Sequence, residues 1–504
     1  MRLRFEHLTE PRLQFGDYFE HEDPKTGLYE YGPFGKNIPG LHVAEIRLGF
    51  IGTGETISGA QEWIERCSSY IESENLKIVK DRAQASGDPL FAEFLDLDAP
   101  EIRRLDKILN RDFIGFNKES PLQCSFQMNP RWERVVNHRE LQSVLTVSDK
   151  KERIEKLVDL IDAQLASITQ TDPLPDVVLI ALTKEMVELA DTVRVSGNFY
   201  LNLRRAIKAR AMNQANPIPV QIIRQRTVTG GGSVQEPAVR AWNFCTAQYY
   251  KAGGTPWIPV ALSKDTCYIG VSFYVAKDVN NELTMRSSVA QAFDFLGQGL
   301  VLRGDPFEWN VKKFGRSPHL IKDAARKLIK QTLEEYAKVT GNTPSRVVIH
   351  KTSKFWGGDR GEYDEVSGFY EGIDDVTRYC DVDFVTLLQT GVKIFREGKY
   401  PPLRGTYFCV EDTEHFLYTM GFVPYLETYP RVYVPSPWQI IQHIGGSAPK
   451  ELFREILILT KMNVNNCNFA DGTPITISFS RKVGEIMKHV SENETVQSSY
   501  RFYM

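Results

Sequence analysis

Several features are scarce in this chain, and each absence narrows its class. Its 504 residues include only seven cysteines, an odd number with no C-x-x-C pair, which argues against a zinc site and a disulfide framework. No apolar run approaches the ~18 residues that a membrane-spanning helix needs. The opening residues, MRLRFEH, have no apolar stretch behind their charges, so a secretory signal is not expected. These absences predict a soluble protein of the reducing cytoplasm that does not enter membranes.

Excess positive charge is also missing. The chain has 61 lysines and arginines against 64 acidic residues, a net charge of −3 and a pI near 6.4. This balance argues against a protein that coats nucleic acid through bulk charge, although it permits a local basic pocket. Hydrophobic residues make up 42% and charged residues 25%, as in ordinary globular proteins, and the length allows two or three domains.

The first half of the chain alternates strand and helix patterns. Residues 44–51 are typical of a strand, and helical spacing over 58–71 follows the Gly52-Thr-Gly54 loop. This order is the building block of an open α/β sheet. Further predicted elements are a helix over 148–168, a buried strand over 176–182, a basic helix near 200–213, a strand over 219–223, a glycine loop at 230–233 and a helix over 236–252.

The composition changes at Gly253-Gly-Thr-Pro-Trp257, and the rest of the chain is richer in strands. The predicted elements are strands over 266–276, 283–302 and 345–352, a helix over 319–339, a mixed segment over 364–410, a Val432–Val434 strand and a helix over 447–460. We therefore predict an α/β protein with a short N-terminal segment (1–40) packed on its core, a first domain over 41–255 and a second over 256–504.

A basic cluster surrounds the predicted helix near 200–213. Arg204 and Lys208 stand four residues apart, so their side chains share one face. Gln221 follows on a predicted strand, and Lys251 closes the next helix. Two or three cationic donors and an amide suit a terminal phosphate, which offers several acceptor oxygens and about two charges. For Arg204 and Lys208 alone, a solvated basic helix face is the alternative.

The stretch Arg346–Ser353, RVVIHKTS, resembles a strand of the PIWI domain of Argonaute proteins that delivers an aspartate to a metal site. Thr352 stands where that aspartate would be. Other stretches are similar to Argonaute segments in the same order: Glu10–Gly16 with Gly27-Leu28 and Tyr31–Pro33, Pro175–Ile180, Tyr250–Trp257, Tyr268–Ser272, and Thr460–Asn463 with Gly472–Thr476. Together they resemble a short prokaryotic Argonaute made of MID and PIWI domains, with no room before residue 40 for N and PAZ domains.

This resemblance implies a Rossmann-like MID domain followed by an RNase-H-like PIWI domain. It implies that the 5′-phosphate of a guide strand is bound by Arg204, Lys208, Gln221 and Lys251, assisted by Arg205 and Arg224. Arg204 stands where many relatives have tyrosine, so stacking of this residue on the first base is not implied.

The chain ends in Tyr500-Arg-Phe-Tyr-Met504. In many bacterial Argonautes the C-terminal carboxylate enters the phosphate pocket through a divalent cation, which implies a structural Mg²⁺ held with the help of Met504. A frayed terminus is the alternative, and the sequence leaves both possibilities open.

The resemblance also implies that the nuclease is lost. Two-metal hydrolysis needs several carboxylates around both ions, whereas the matching positions hold Ser272, Thr352 and Ser480, with Arg481 next to the last. Nearby acids fall off the motif positions: Asp265, Asp278, Asp294, Asp305, Asp359 and Glu362. His350 lies inside an apolar strand and is expected to be a hydrogen-bonded core histidine, and no role is assigned to His443.

The first functional hypothesis is a guide-dependent sensor of prokaryotic immunity that binds a 5′-phosphorylated guide, RNA with DNA as the alternative, and recognises complementary single-stranded DNA from plasmid or phage. As the resemblance implies, it would activate an APAZ-domain partner carrying a TIR or sirtuin-like NADase, or a nuclease. The second hypothesis is a stand-alone guided endonuclease with displaced acids. The third is an RNase-H-like module that binds protein and no guide.

Overall fold

The computed structural model describes residues 2–73, 111–196, 199–230, 234–277, 283–293, 299–307, 309, 311–315, 317–358, 360–398, 401–430, 433–491, 493–494 and 496–504. Strands and helices of these residues are numbered below in chain order.

The first half alternates strands and helices, in agreement with the sequence pattern. Its elements are β1 (Leu3–His7), β2 (Leu13–Gln14), β3 (Glu20–His21), α1 (Pro24–Tyr31), β4 (Glu45–Gly52), α2 (Gly54–Ser68), β5 (Ser125–Val135), α3 (His138–Leu145), α4 (Lys150–Ile168), β6 (Val177–Leu182), α5 (Lys184–Ala190), β7 (Thr192–Ser196), β8 (Phe199–Asn202), α6 (Leu203–Met212), β9 (Val220–Arg224), α7 (Gln225–Thr229) and α8 (Pro237–Lys251).

Four of these strands form a parallel sheet in the order β5-β4-β6-β9. Every residue of β6 is buried, as expected for a central strand covered on both faces. On one face Val178 and Ile180 pack against α4 and α6, and on the other Val177 and Leu179 join the core that contains α2 and α8. The edge strand β9 therefore lies between the layers that contain α6 and α8, and the candidate site forms beside it.

The second half supplies most of a larger sheet. Its elements are β10 (Ile258–Pro259), β11 (Thr266–Lys277), β12 (Leu283–Phe293), β13 (Gly299–Val301), β14 (Pro306–Phe307), α9 (Val311–Phe314), α10 (Lys322–Thr340), β15 (Arg346–Lys351), α11 (Glu365–Asp374), β16 (Asp381–Gln389), β17 (Thr406–Val410), β18 (Glu414–Leu417), β19 (Trp438–Ile444), α12 (Pro449–Leu459) and α13 (Ile475–Met487).

In the described part of the chain this larger sheet has ten strands in the order β1-β17-β18-β19-β16-β15-β11-β12-β13, with β14 paired to β12. At its centre β11, β15 and β16 run parallel. Helices α10 and α11 cover one face through residues such as Leu328 and Phe369. Helices α12 and α13 cover the other through residues such as Leu452 and Ile477. The described residues thus form a mixed α/β protein with two main sheets, each covered on both faces by helices, and two small sheets, β10-β2-β3 and β7-β8.

The N-terminal segment joins the larger sheet, since β1 pairs with β17 at its edge. Farther along, the Glu10 carboxylate accepts hydrogen bonds from Arg404 Nε at 2.9 Å and forms an ion pair with Lys461 Nζ at 2.7 Å. Burial works against the charge of Glu10, but these two cations hold its pKa below the ordinary value. The segment is therefore fixed to the core by buried charge as well as by strand pairing.

Some predicted boundaries are wrong. The helix expected over 58–71 begins at Gly54, because the Thr53 side chain caps it, and it ends at Ser68. The predicted Val432–Val434 strand is also wrong: Tyr433 and Val434 are irregular, and β19 begins only at Trp438, after two prolines that cannot donate to a strand ladder. Val432 itself, residues 231–233 of the glycine loop and residues 294–298 of the predicted 283–302 strand lie outside the described residues.

Candidate functional site

A cavity of about 650 Å³ opens between the two halves of the chain. Its walls come from α6, β9 and α8 on one side and from α13 and the final residues on the other. The described residues that line it are Asn202, Arg204, Arg205, Lys208, Gln221, Ile222, Thr227, Gln235, Arg240, Asn243, Phe244, Ala247, Gln248, Asn465, Arg481, Lys482, Glu485, Ile486, Tyr503 and Met504. Cationic and amide side chains predominate, so the cavity suits an anion.

Helix α6 presents two of the predicted basic residues to this cavity. The Asn202 side chain caps the helix by accepting a hydrogen bond from the Arg205 backbone N–H at 3.2 Å. Leu203 and Ile207 are buried in the first-half core, which turns Arg204 and Lys208 toward the cavity. The basic face is therefore the wall of a pocket rather than an open helix surface.

Lys208 lies among other cations. Its ammonium group donates to the terminal main-chain oxygen of Met504. Burial, followed by the nearby charges of Arg204, Lys482 and Arg205, lowers the pKa of Lys208 to about 8. Burial and the neighbouring Arg224 also lower the pKa of Arg204. An anion that entered this site would relieve the repulsion among these groups.

Gln221 and Lys251 form the deeper part of the site. Lys251 is fully buried, and its Nζ donates to the Val220 carbonyl at 2.8 Å and to Gln221 Oε1 at 2.6 Å. Burial and the charge of Lys208 hold the pKa of Lys251 well below its ordinary value. Among the described residues, no Asp or Glu side chain forms an ion pair with Lys208 or Lys251. Lys251 thus stands directly behind Gln221 as a buried cation without a carboxylate.

The end of the chain packs into the same place. Tyr500–Phe502 forms a short 3₁₀ helix, and the Tyr500 ring stacks on Phe479 of α13 with centroids 4.2 Å apart. Tyr503 and Met504 are buried and line the cavity. Of the two possibilities that the sequence left open, a packed tail and a frayed terminus, the structure therefore has the packed tail.

The two residues predicted to assist are placed differently. Arg205 lines the cavity, but its Nη1 forms an ion pair with Glu485 Oε2 at 2.5 Å. Arg224 is not among the lining residues, and its Nη2 lies 3.8 Å from Asp191 Oδ1. The structure thus brings Arg204, Lys208 and Gln221 together at the cavity, with Lys251 behind them and Arg224 outside.

Several lining residues were not singled out from the sequence. Gln248 is fully buried, and neither atom of its amide has a hydrogen-bond partner. It lies one turn before Lys251 on α8, in the same i, i+3, i+4 stripe as Phe244 and Ala247, which is a spacing that could have identified it. Arg481 and Lys482 reach the cavity from α13. The position of these two residues at the cavity results from helix packing, and no local sequence pattern predicts it.

Two of the positions expected to have lost catalytic acids lie on neighbouring strands of the larger sheet. The parallel pairing of β11 and β15 sets Gly270 beside His350, and the same register carried two residues on sets Ser272 beside Thr352. Both side chains are half-buried hydroxyls. Ser272 in the middle of β11 and Thr352 directly after β15 therefore carry hydroxyl groups and no carboxylates.

Helix α13 packs directly on these strands. A Cβ at Gly270 would come within 1.8 Å of the Thr476 carbonyl oxygen, so only glycine permits this approach. His350 Nδ1 is hydrogen-bonded to Thr476 Oγ1 at 2.8 Å, and burial lowers the pKa of His350 to about 3. The prediction of a hydrogen-bonded core histidine is thus confirmed. One turn later the buried Ser480 hydroxyl donates to the Ile477 carbonyl at 3.2 Å.

The nearby acids that the structure describes lie on separate elements. Asp265 directly precedes β11, Glu362 lies in the short 3₁₀ helix Gly361–Tyr363, and Asp305 forms an ion pair with Lys327 at 2.7 Å. Asp278, Asp294 and Asp359 lie outside the described residues. Among the residues that the structure covers, no group of three or more His, Cys, Asp or Glu side chains is arranged to hold a metal ion.

His443 belongs to a separate polar network. Its Nε2 is 2.8 Å from Asp383 Oδ1, and the other carboxylate oxygen accepts from Ser447 Oγ at 2.6 Å. Burial opposes the charge of Asp383, yet the hydrogen bonds from His443, Ser447 and Arg346 hold its pKa below the ordinary value. Because the serine and the histidine both bond to the aspartate and not to each other, this is not a nucleophile–base arrangement.

Comparison with known proteins identifies the fold. No protein-family model matches the sequence, and no curated protein sequence does. Among solved structures, Clostridium butyricum Argonaute bound to a guide DNA and a 19-mer target DNA has a TM-score of 0.57 and 15% identity, covering 97% of this chain and 53% of that one. Marinitoga piezophila Argonaute in complex with a 5′ OH guide RNA has a TM-score of 0.53 and 13% identity, covering 99% of this chain and 59% of that one. Drosophila Piwi has a TM-score of 0.52 and 12% identity, covering 99% of this chain and 56% of that one.

The chain therefore has an Argonaute-like α/β fold, consistent with MID and PIWI domains. It spans between half and three fifths of the length of these structures. The helices of the described residues include none long and apolar enough to cross a membrane.

Proposed function

We propose that this protein binds a short guide strand by its 5′-phosphate, with Arg204, Lys208, Gln221 and Lys251 as the binding residues. The observation that carries the proposal is the meeting of Arg204, Lys208 and Gln221 at one cavity, with Lys251 buried behind Gln221 and without an Asp or Glu partner among the described residues. Because burying an uncompensated cation costs several kcal/mol, a buried lysine of this kind is better explained by an absent anion than by stability. The Argonaute-like fold supports the same assignment.

The chemistry of the cavity matches a phosphate monoester. The group carries about −1.5 to −2 charges near neutral pH and three acceptor oxygens. Lys208 and Lys251 would supply charge, the Gln221 amide a further donor, and Arg204 a forked donor at the mouth. Binding would then restore full protonation to both lysines, whose pKa values are lowered in the empty cavity.

A magnesium ion fits beside this phosphate. The cavity offers the buried, unpartnered Gln248 amide oxygen and the Met504 carboxyl group, and oxygen ligands are those that Mg²⁺ prefers. When bound, the ion would neutralise charge between the phosphate and the chain end. Lys208, which now donates to Met504, would be released toward the phosphate.

We further propose that the protein does not cut nucleic acid and acts as a sensor in prokaryotic immunity. The hydroxyls at Ser272, Thr352 and Ser480 support this, as does the dispersal of Asp265 and Asp305. In this account the guide is RNA, the target is complementary single-stranded DNA from plasmid or phage, and pairing shifts the complex toward a state that activates an APAZ-domain effector in the cytoplasm. The effector would be a TIR or sirtuin-like NADase, or a nuclease.

The binding proposal is tested with 3′-labelled RNA and DNA oligonucleotides that carry either a 5′-phosphate or a 5′-hydroxyl. We expect the wild-type protein to prefer the phosphate, and Lys208→Met to reduce that preference by about 10- to 100-fold, the value of a charged hydrogen bond. Lys338→Met, which removes an exposed lysine of α10, is the matched control. Equal affinity of the wild type for both ends would contradict the proposal, and no binding of either oligonucleotide would favour a module that binds no guide.

The absence of cutting is tested separately. The purified chain is incubated with guide, complementary DNA and Mg²⁺ or Mn²⁺, and we expect intact target. Guide-directed cleavage by this chain alone would instead support the second candidate, an endonuclease with displaced acids. The partner is tested by co-expressing the tagged chain with an APAZ-domain protein, and a stoichiometric complex is the expected result.

A further inference from the structure

One acidic side chain stands within the basic cavity. Glu485 of α13 is the only acidic side chain among the described residues that line it. The lining cations are Arg204, Arg205, Lys208, Arg240, Arg481 and Lys482. A carboxylate among these cations lowers the attraction of the site for anions, so its presence needs a physical explanation.

Glu485 lies toward the mouth of the cavity, across from α6. Its Oε2 accepts from Arg205 Nη1 at 2.5 Å, and its Oε1 accepts from Lys488 three residues along α13. The Glu485 side chain is 36% exposed and that of Arg205 41% exposed. Lys251, by contrast, is completely buried behind Gln221. The Glu485 carboxylate therefore stands near the surface, together with the exposed Arg204, Arg481 and Lys482, and Lys251 is set deeper.

The position of Glu485 near the surface affects small and large anions differently. A single phosphate that reaches Lys208 and Gln221 passes the rim and is bound by the deeper cations. A chain of three phosphates fills the mouth as well, where it meets the Glu485 carboxylate. Like charges repel strongly at a few ångströms in a partly desolvated site, and such repulsion is a common means of rejecting a wrong ligand.

Building on the proposed function, we propose that Glu485 determines which 5′ ends the cavity accepts, admitting a monophosphate and disfavouring a triphosphate. The ion pair with Arg205 acts in the same direction. It holds the Arg205 guanidinium at the rim, where that group cannot serve a second or third phosphate. Glu485 thus both repels the longer phosphate chain and occupies the arginine that would bind it.

A simple latch between the two halves of the chain is the competing account of this ion pair. Exposed ion pairs contribute little to stability, and a latch would influence every ligand alike. The two accounts are separated by ligands that differ only in the charge of the 5′ end.

The experiment compares oligonucleotides of one sequence with a 5′-hydroxyl, a 5′-monophosphate or a 5′-triphosphate, bound to the wild-type protein and to Glu485→Gln. We expect the substitution to raise affinity for the triphosphate about tenfold, for the monophosphate about two- to threefold, and for the hydroxyl not at all. The gain should shrink at high salt because the charges stand at a solvent-accessible rim. Glu451→Gln is the matched control, since Glu451 pairs with Arg454 three residues along α12, away from the cavity.

Adding Arg205→Gln to Glu485→Gln should remove much of the triphosphate gain, which shows that the two residues are coupled. Thermal unfolding of each variant checks that the fold is kept, and Glu485→Ala repeats the test if Glu485→Gln alters it. Equal shifts for all three ends, or none, would overturn the assignment of Glu485. If the wild type does not distinguish monophosphate from hydroxyl, the proposed function fails first.

Discussion

Two pairs of lysines in this molecule differ in what faces their ammonium groups. In the larger sheet region, Lys351 donates to the buried Glu365 and Lys461 pairs with Glu10. In the cavity region, Lys208 donates to the terminal main-chain oxygen of Met504, and the buried Lys251 donates to the Val220 carbonyl and the Gln221 amide oxygen. Burial lowers the pKa in all four cases, but carboxylates act in the opposite direction only for the first pair.

This difference in partners distinguishes lysines with a structural role from lysines with a role in binding. A buried cation with a buried carboxylate is satisfied within the fold, and removing either partner leaves an unpaired charge. A buried cation without a carboxylate remains poised for an anion from outside. The first pair should therefore respond to mutation through stability, and the second through ligand binding.

The largest effect on stability is expected from Glu365→Gln. Glu365 accepts from Lys351, from the Trp356 N–H at 2.8 Å and from the Leu320 N–H at 3.1 Å, so its loss leaves Lys351 buried and unpaired. The free energy of unfolding should fall by about 3 to 5 kcal/mol. Urea denaturation measures this, with Glu451→Gln as an exposed control. An unchanged unfolding curve would mean that Lys351 needs no counter-ion.

The opposite behaviour is expected from Lys251→Met. Affinity for a 5′-phosphorylated guide should fall by about 10- to 100-fold, because one charged donor is lost. The free energy of unfolding should change by less than about 1 kcal/mol, since the lost hydrogen bonds are offset by removal of an uncompensated buried cation. Binding and denaturation are measured on the same preparation. A large loss of stability with no change in binding would place Lys251 in the structural group.

The pH dependence of guide binding and of stability should both report on Lys208, when measured in buffer containing EDTA. Lys208 has a pKa of about 8 in the folded protein, below its ordinary value of 10.5. Preference for the 5′-phosphate should therefore decline as pH rises above 8, where Lys208 loses its proton. The same shift makes Lys208 destabilising below pH 8, and that penalty is relieved as pH rises from 8 toward 10.5, because the unfolded chain still holds the proton. Lys208→Met should flatten both profiles.

The smallest effect is expected from Arg224→Ala. Arg224 pairs with Asp191 outside the cavity, so affinity for the 5′-phosphorylated guide should change by less than about twofold. A tenfold loss would show that Arg224 turns into the cavity when the guide binds.

Elements with strong periodicity could be predicted from the sequence. The fully apolar run of β6 and the amphipathic α4 and α8 lie within a few residues of where the pattern indicated them. The short α1 and the β1 strand, in a segment without sustained periodicity, could not. Their formation depends on partners far along the chain, such as β17 and the Arg404–Glu10 ion pair.

The candidate site shows the same limit. Arg204 and Lys208 share a face because of helical spacing, which any sequence displays. The approach of Arg481, Lys482 and Met504 to that face depends on how α13 packs against α6, which no local pattern encodes. Arg224, next to a cationic helix in sequence, turns instead to Asp191.

The central claim is that the cavity holds cations that become fully charged when a phosphate arrives. Proton uptake measures this directly: guide binding is followed by calorimetry at pH 8 in two buffers of different ionisation enthalpy, with 5′-phosphate and 5′-hydroxyl guides and no divalent ion. At this pH the phosphate is already fully ionised, so extra protons must go to the protein. The account predicts net uptake with the phosphate guide only, and loss of part of it in Lys251→Met. Identical heats in both buffers for both guides would contradict it.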